Sequence, residues 1–423
     1  VVGSTIHSPR RSTASRRTPT GSPSGTPSTS PGSGESGRAS YPRSSLLDGR
    51  RQEGRWRRCR RSTAAGCSLT GPRRSSSTGP GCARPIWRCS TWACRTPPTA
   101  RPGWRWPRGA DGLDDDRLEL VWAARGAPHL HRRAELTELA AALWPLSDAD
   151  AARRVAGRIR AGVTKLGTVA FQRTAQAFRE VVTTAMDKGA VSRAVTDRIP
   201  AELSYDCGPC AARHVSGSLF QQAGLAGGVR LEVSGRGARL APLADRPPLP
   251  TRAAGTAGLV LAYLRLLGPA TVADVAGFLG TSATELRAVW PAAELTEVRV
   301  DGRRAWLPTD RLDALRGAEP LDGVRLLPTG DPFLQARDRD VLVPDPAHQR
   351  ELWRMLGNPG ALLVDGEIGG TWRARQSGRG RLDLTVTPFT RLSRRAGERI
   401  EAEAETVRLA RGASAVTVRV ESG

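Results

Sequence analysis

The sequence changes character near residue 110, and that break limits how much of the chain can form a packed core. Residues 1–110 carry 21 Arg, no Lys and three acids (Glu35, Asp48 and Glu53), a net charge of +18. Residues 111–423 carry the other 43 basic and 38 acidic groups, a net charge of only +5. Within the first part, segments such as Gly21–Gly37 and Arg50–Arg61 show neither a 3.6 nor a 2 period of apolar residues. High charge with little apolar surface cannot offset ordering entropy, which predicts disorder. Five of the seven Cys and five of the eleven Trp also lie there, however, and disordered segments are normally poor in both.

Arg, Pro, Gly, Ser, Thr, Ala, Trp and Cys without Lys is what GC-rich DNA yields when translated out of frame. Ser90-Thr-Trp-Ala-Cys-Arg-Thr96 can be written TCG ACC TGG GCG TGC AGG ACA. Moved back by one base, those codons read Asp-Leu-Gly-Val-Gln-Asp. Residues 1–110 are therefore expected to be a low-complexity basic segment, out of frame or disordered, and not a domain. No segment reaches the roughly 18 apolar residues of a membrane span, and the first 40 residues lack the apolar core of a secretory signal. The expectation is a cytoplasmic monomer with its cysteines as thiols.

From residue 111 the patterns become those of a folded protein. Leu118–Trp122 reads as a strand, followed by Arg125-Gly-Ala-Pro-His-Leu-His131, and Ala134–Leu143 as a helix with Leu136, Leu139, Ala140 and Leu143 on one face. Helices are predicted over Ser147–Ile159, Thr168–Met186, Val191–Ile199 and Cys210–Ala223. Two strands, Val229–Val233 and Ala238–Leu243, then flank a glycine turn. After the Pro-rich linker Asp245–Pro250 the plan repeats: helices over Thr256–Leu267, Thr271–Leu279 and Ser282–Trp290, then a hairpin of Leu295–Val300 and Arg303–Leu307 around Asp301-Gly302. Three helices followed by a hairpin is the winged-helix plan. Beyond Leu312–Leu315 the strands Val324–Leu327, Ala361–Val364, Gly369–Arg375, Leu382–Val386 and Val416–Val420 dominate, with helices over Ala347–Leu356 and Ala396–Arg411. The fold class is α+β: a remnant of a first winged helix over 111–167, a second over 168–250, a third over 251–318, and a β-barrel-like domain over 319–423.

Residues 371–400 hold eight Arg and two acids, and the run Trp372-Arg-Ala-Arg-Gln-Ser-Gly-Arg-Gly-Arg381 reads as a hairpin. On a strand Arg373 and Arg375 point to one side, with Trp372 opposite or at the edge, an arrangement suited to phosphate contacts. The third helix of the clearer winged unit carries only Arg287, which makes it a poor groove reader; Arg299, Arg303 and Arg304 of its hairpin are better phosphate ligands. His129 and His131 lie two apart, so a strand places both on one face, near Arg125, Arg132 and Arg133; contact with a phosphate or base competes with a solvated basic turn. Cys207-Gly-Pro-Cys210 has the spacing of a thioredoxin dithiol, but no buried strand precedes it. Adding His214 makes three potential zinc ligands where structural zinc uses four. Two ordinary thiols opening a helix is the plainer reading, and no metal or cofactor is assigned. No Walker loop, GxSxG elbow, HExxH helix or GxGxxG after a strand is present.

From about residue 117 to 420 the chain resembles the bacterial winged-helix DNA-binding proteins related to alkyl- and crosslink-processing DNA glycosylases. The matching stretches are Arg125-Gly-Ala-Pro-His129, Cys210-Ala-Ala-Arg-His214, Leu327-Pro-Thr-Gly-Asp-Pro-Phe333, Arg337-Asp-Arg-Asp340, Gly357-Asn-Pro-Gly360 and Val364-Asp-Gly-Glu-Ile-Gly-Gly-Thr-Trp-Arg373. The resemblance implies tandem winged helices and a C-terminal β-barrel around a DNA-sized channel. In glycosylase members a Gln-x-Gln or Gln-x-Asp element before the Arg-Gly-x-x-His block positions the attacking water; none is legible before Arg125, so no catalytic residue is assigned. The expected partner is double-stranded DNA, contacted by Arg125, His129, His131, Arg213, His214, Arg303, Arg304, Trp372, Arg373, Arg375, Arg379 and Arg381. A DNA-binding protein is the leading reading, a glycosylase whose catalytic element is missing from this sequence the alternative, and a CGPC redox protein the weakest.

Overall fold

The computed structural model describes residues 117–423 apart from Ala156, residues 235–236, Asp301, Pro320, residues 378–379 and the last two. The expectations for residues 1–110 and for Arg379 lie outside the described residues. The first element is an antiparallel ribbon, β1 (Leu118–Trp122) with β2 (Pro128–Arg132). The ribbon is joined through one tight turn, Ala124–Gly126, in which Arg125 and Gly126 both adopt positive φ, 58° and 70°. Only glycine fits the second position, because a Cβ on Gly126 would lie 2.6 Å from the Gln221 Cβ.

Then come α1 (Leu136–Ala142), α2 (Asp148–Arg154), α3 (Arg160–Leu166), α4 (Thr168–Val181), β3 (Met186–Asp187) and α5 (Lys188–Thr196). They are followed by the hairpin β4 (Ser204–Cys207) and β5 (Ala212–Val215), α6 (Gly217–Ala223), and the strands β6 (Val229–Ser234) and β7 (Gly237–Pro242), which form a small sheet with β3. Three predicted helices are shorter than their patterns suggested. The helix expected over Ser147–Ile159 stops at Arg154, because Gly157 takes φ 86°, which no α-helix can pass through. The helix expected over Thr168–Met186 ends at Val181, where the β-branched run Val181-Val-Thr-Thr184 begins. Cys210–Ala223 is not one helix: Gly208–Cys210 and the left-handed Ala211 (φ 46°) turn the chain back as β5, and helical pattern resumes only after Ser216.

The next unit matches its sequence pattern closely: α7 (Thr256–Leu267), α8 (Val272–Leu279), α9 (Ala283–Arg287), then the hairpin β8 (Leu295–Val300) and β9 (Arg303–Pro308). Thr271 and Asp274 cap α8 reciprocally, the threonine hydroxyl accepting from the Asp274 N–H at 3.1 Å while the carboxylate accepts from the Thr271 N–H at 2.9 Å.

The remainder comprises α10 (Leu312–Arg316), β10 (Val324–Leu327), α11 (Pro332–Gln335), α12 (Arg339–Leu342), α13 (Pro346–Leu352), β11 (Gly360–Val364), β12 (Glu367–Ser377), β13 (Arg381–Pro388), α14 (Arg394–Ala410) and β14 (Ala415–Val420). α13 ends four residues before the predicted Leu356, leaving Met355 and Leu356 in an exposed loop. The five long strands form one sheet in chain order, antiparallel except for β13–β14, which the crossover helix α14 makes parallel. α14 touches both edge strands, β10 and β14, so the sheet curls around it without closing. The result is half a barrel where a barrel was expected. No helix among the described residues is long and apolar enough to cross a membrane.

Among the described residues three large apolar cores hold this mixed α/β assembly, with two small clusters at the β8–β9 hairpin. One gathers Trp122, Trp144, Phe171, Phe178, Phe220 and Leu240. A second joins the β1–β2 ribbon and α1 to α7–α9 and onward to Leu327 and Leu363. The third lies between the half-barrel and α14, around Leu326, Leu362, Trp372, Leu384 and Ile400. β10 and β11 therefore bury both faces, which explains the unbroken apolar run Ala361–Val364.

A buried ion pair ties the first core to the second. Asp150, fully buried, accepts from Arg154 Nε at 2.9 Å, from the Leu146 N–H at 2.9 Å and from Thr281 Oγ1 at 2.6 Å, just past the end of α8. Removing the carboxylate strands the buried Arg154 guanidinium. Asp150→Ala is expected to cost about 3–5 kcal/mol in urea unfolding, against about 1 kcal/mol for Thr281→Val. A second buried acid, Asp331, caps α11 by accepting from the Phe333 N–H at 2.9 Å, and burial pushes its carboxyl up to about 7. The folded protein keeps the proton that the unfolded chain sheds near pH 4. Stability is therefore lost as pH rises from about 4 to about 7, then levels off. Asp331→Asn keeps the cap and removes this slope, so its thermal unfolding should exceed the parent's more at pH 8 than at pH 5, by about 2–4 kcal/mol.

Candidate nucleic-acid interface

The period of two along β12 and β13 divides the half-barrel into a packed face and an open face. Trp372, Leu382, Leu384 and Val386 face α14, and the Trp372 ring N–H donates to the Leu327 carbonyl at 2.8 Å. Trp372 thus lies opposite the arginines, inside the core, where its indole has no open face for a ligand. Arg373 and Arg375 are exposed on the other side, with Arg381 on β13 and Arg419 on β14 completing the row. Asp383 stands directly across from Arg375 and is the acid of this part of the face. Arg373 is held in place by donating to the Gly357 carbonyl at 2.7 Å. That hydrogen bond sets it beside the loop carrying Met355 and Leu356, which are 98% and 86% exposed. A row of guanidinia thus lies next to two uncovered apolar side chains, and the apolar pair had no period to reveal it in the sequence.

The β8–β9 hairpin offers less free charge than its sequence suggested. Arg304 pairs with Glu297 across the strands, at 2.9 Å from Nε to Oε1, and this pairing holds the Glu297 carboxyl below its usual range. Arg303 pairs with Asp340 at 3.2 Å, and Arg299 donates to the Gly302 carbonyl at 3.1 Å. Exposed pairs of this kind are worth little to stability.

His129 and His131 do share one face of β2, but the face is buried and not a solvated turn. The His129 Nδ1 lies 3.0 Å from the Ala127 carbonyl, and burial drives the His131 imidazole well below the ordinary histidine range, keeping it neutral. Arg125 is turned inward by its positive φ, its guanidinium 5.5 Å from the Phe278 ring centre. A cavity of about 10 Å³, room for one water, opens beside it, lined by Trp122, Arg125, Trp144, Arg154 and Gln222. It is far too small for a nucleobase.

Arg213 braces its own hairpin, donating to Ser204 Oγ at 2.7 Å and to the Ala201 carbonyl at 3.0 Å. His214 is paired across that hairpin with Tyr205. Cys207 and Cys210 bracket a single 3-10 turn between two strands, not the N-terminus of an α-helix, so no α-helix dipole activates them as in a redox dithiol. Instead the neighbouring Cys207 sulfur holds the Cys210 thiol above its usual range.

Residues 106–411 match the family described as DNA glycosylase AlkZ-like. The chain belongs to that family. It is similar to an interstrand DNA cross-link repair glycosylase of Streptomyces sahachiroi, 34% identical over 180 residues, which is 41% of this chain and 47% of that protein. The match therefore spans about half the length of this curated relative. Its fold is similar to the solved structure of Streptomyces sahachiroi DNA glycosylase AlkZ, with a TM-score of 0.55 and 23% identity over 72% of this chain and 82% of the other. Within this AlkZ-like chain the arginine row is the surface to test first. Changing Arg373, Arg375 and Arg381 together to Gln should weaken binding to duplex DNA at least tenfold. The slope of log affinity against log salt should also shrink by about 0.9 for each phosphate no longer neutralised, read by fluorescence anisotropy.

Proposed function

We propose that this AlkZ-like protein is a DNA glycosylase that hydrolyses the N-glycosidic bond of alkylated or crosslinked bases in double-stranded DNA. The observation that carries this reading is the family match over residues 106–411. In this reading residues 111–167, 168–250 and 251–318 are winged-helix units, the first a remnant, and residues 319–423 are the β-domain. The duplex lies against the face of Arg373, Arg375, Arg381 and Arg419, whose guanidinia take phosphates and set the register without reading sequence. Met355 and Leu356 act as an apolar wedge at a base step, a use that suits exposed apolar side chains beside phosphate ligands.

Hydrolysis of an N7-alkylated purine breaks the bond between the sugar C1′ and the base nitrogen; the bonding pair goes to the cationic base, which leaves neutral, while the water oxygen bonds to C1′ and its proton passes to solvent. The element that would position this water in the family precedes the Arg125 block, and the chain as written has no Gln-x-Gln or Gln-x-Asp before Arg125. The family match begins at residue 106, close to the break in charge near residue 110. We propose that the sequence upstream of that break is out of frame and that the restored frame supplies the missing element.

The test compares the chain as written with one reframed upstream of residue 110, each incubated with duplex carrying N7-alkylguanine. Release of free base and abasic sites is expected from the reframed chain alone. Met355→Ser with Leu356→Ser should slow that release while leaving the salt slope of binding unchanged. Salt-dependent binding with no base release from either chain would establish the DNA-binding reading in place of the enzyme. Equal release from the chain as written would overturn the frame proposal.

A further inference from the structure

The β4–β5 hairpin brings together three side chains that neither the fold nor the proposed hydrolysis uses. In an antiparallel pair, residues directly opposite point to the same side. Tyr205 is opposite His214 and Cys207 is opposite Ala212, so Cys207 and His214 share one face. The turn Gly208–Cys210, completed by Ala211 in the left-handed conformation at φ 46°, ψ 37°, folds Cys210 back toward that face. The two sulfurs and a His214 ring nitrogen all lie within 4.8 Å of one another. The His214 Nε2 is shielded from solvent and has no hydrogen-bond partner among the described residues. An imidazole nitrogen removed from water without a partner loses hydration with nothing in return, and such atoms call for an explanation.

We propose that Cys207, Cys210 and His214 form a zinc site, with the fourth position open to water or an external ligand. Zinc bound at about 2.3 Å to sulfur and about 2.0–2.1 Å to nitrogen in a tetrahedron sets its ligand atoms roughly 3.5–3.8 Å apart. The cluster therefore needs only a small contraction. Two thiolates and a neutral imidazole balance the charge of the ion, with two thiol protons released on binding. Sulfur and imidazole donors select zinc over the hard cations that prefer oxygen. The site is separate from the arginine row of β12 and β13 in sequence, and it does not depend on the glycosylase reading.

With three protein ligands the site is of the open kind, and a bound ion would in addition restrain the tip of the hairpin. The base is already tied, Arg213 bonding Ser204 and Ala201, and Arg158 holds β4 nearer the turn by donating to the Asp206 carbonyl at 3.0 Å. The ion would close the other end, fixing the strained Ala211 turn and the register of β4 on β5.

The experiment measures zinc in the full chain purified under reductant without chelator. Because Cys59, Cys67, Cys82, Cys89 and Cys94 lie upstream, the parent is one in which those five are Ser. About one zinc per chain is expected in that parent. Cys207→Ser with Cys210→Ser, and separately His214→Asn, should lose it, while His214→Cys, which supplies a third thiolate, should retain it. Cobalt added to the metal-free parent should give the thiolate charge-transfer and tetrahedral ligand-field bands, and the double variant should not. No zinc in the parent, equal zinc in parent and double variant, or recovery of Cys207 and Cys210 as a disulfide under the same reductant overturns the site. The cobalt spectra, taken on chains whose far-ultraviolet circular dichroism matches the parent's, separate loss of ligands from loss of fold.

Discussion

The interaction on which the assembly depends most is the buried carboxylate of Asp150. It sits on a short helix belonging to the first aromatic core, yet it accepts from Thr281, which follows the helix capped by Thr271 in the second. Arg154 neutralises it and donates onward to the Leu143 carbonyl at 2.6 Å, and the Arg154 carbonyl in turn accepts from Gln222 at 3.0 Å. A buried charge is tolerated only when every lone pair and proton is used, so this node allows one relative placement of the helices around it and penalises others. Apolar packing alone would permit sliding, because dispersion and burial have little directionality.

The second consequence of that arrangement is a division of labour between faces. Elements near the node turn their charged and polar residues inward: Arg125 lies against Phe278, and His129 and His131 are covered on β2. The half-barrel does the reverse. Its apolar face wraps α14, and its arginines remain in solvent with Asp383 as the facing acid. A polyanion meets its strongest attraction where cations are free of counter-charges, and the arginines of β12–β14 face one acid where those of the β8–β9 hairpin are paired.

Much of this was legible along the chain where local signals agreed with one another. Thr256–Leu267, the Thr271 cap and the strands flanking Asp301-Gly302 combine period, capping and turn residues, and each formed as its pattern indicates. The elements that differed are those where a local backbone constraint overrode an apolar period. Gly157 ended a helix, the Val-Val-Thr-Thr run ended another, and Gly208-Pro209 with left-handed Ala211 made a hairpin where a helix was expected. The Asp150–Thr281 hydrogen bond had no signal at all, since its partners are 131 residues apart.

Taken alone, the sequence determined the break near residue 110, the strand alternation from Trp372 to Val386 and hence the sharing of one side by Arg373 and Arg375. Alternation follows from backbone geometry, which is local. It could not determine what covers each side. That Trp372 fills a core, that His131 is dry and neutral, and that two thiols and an imidazole meet at one hairpin tip were decided by tertiary structure. Burial and ligand geometry depend on which distant segments pack together, and that is a property of the folded chain as a whole.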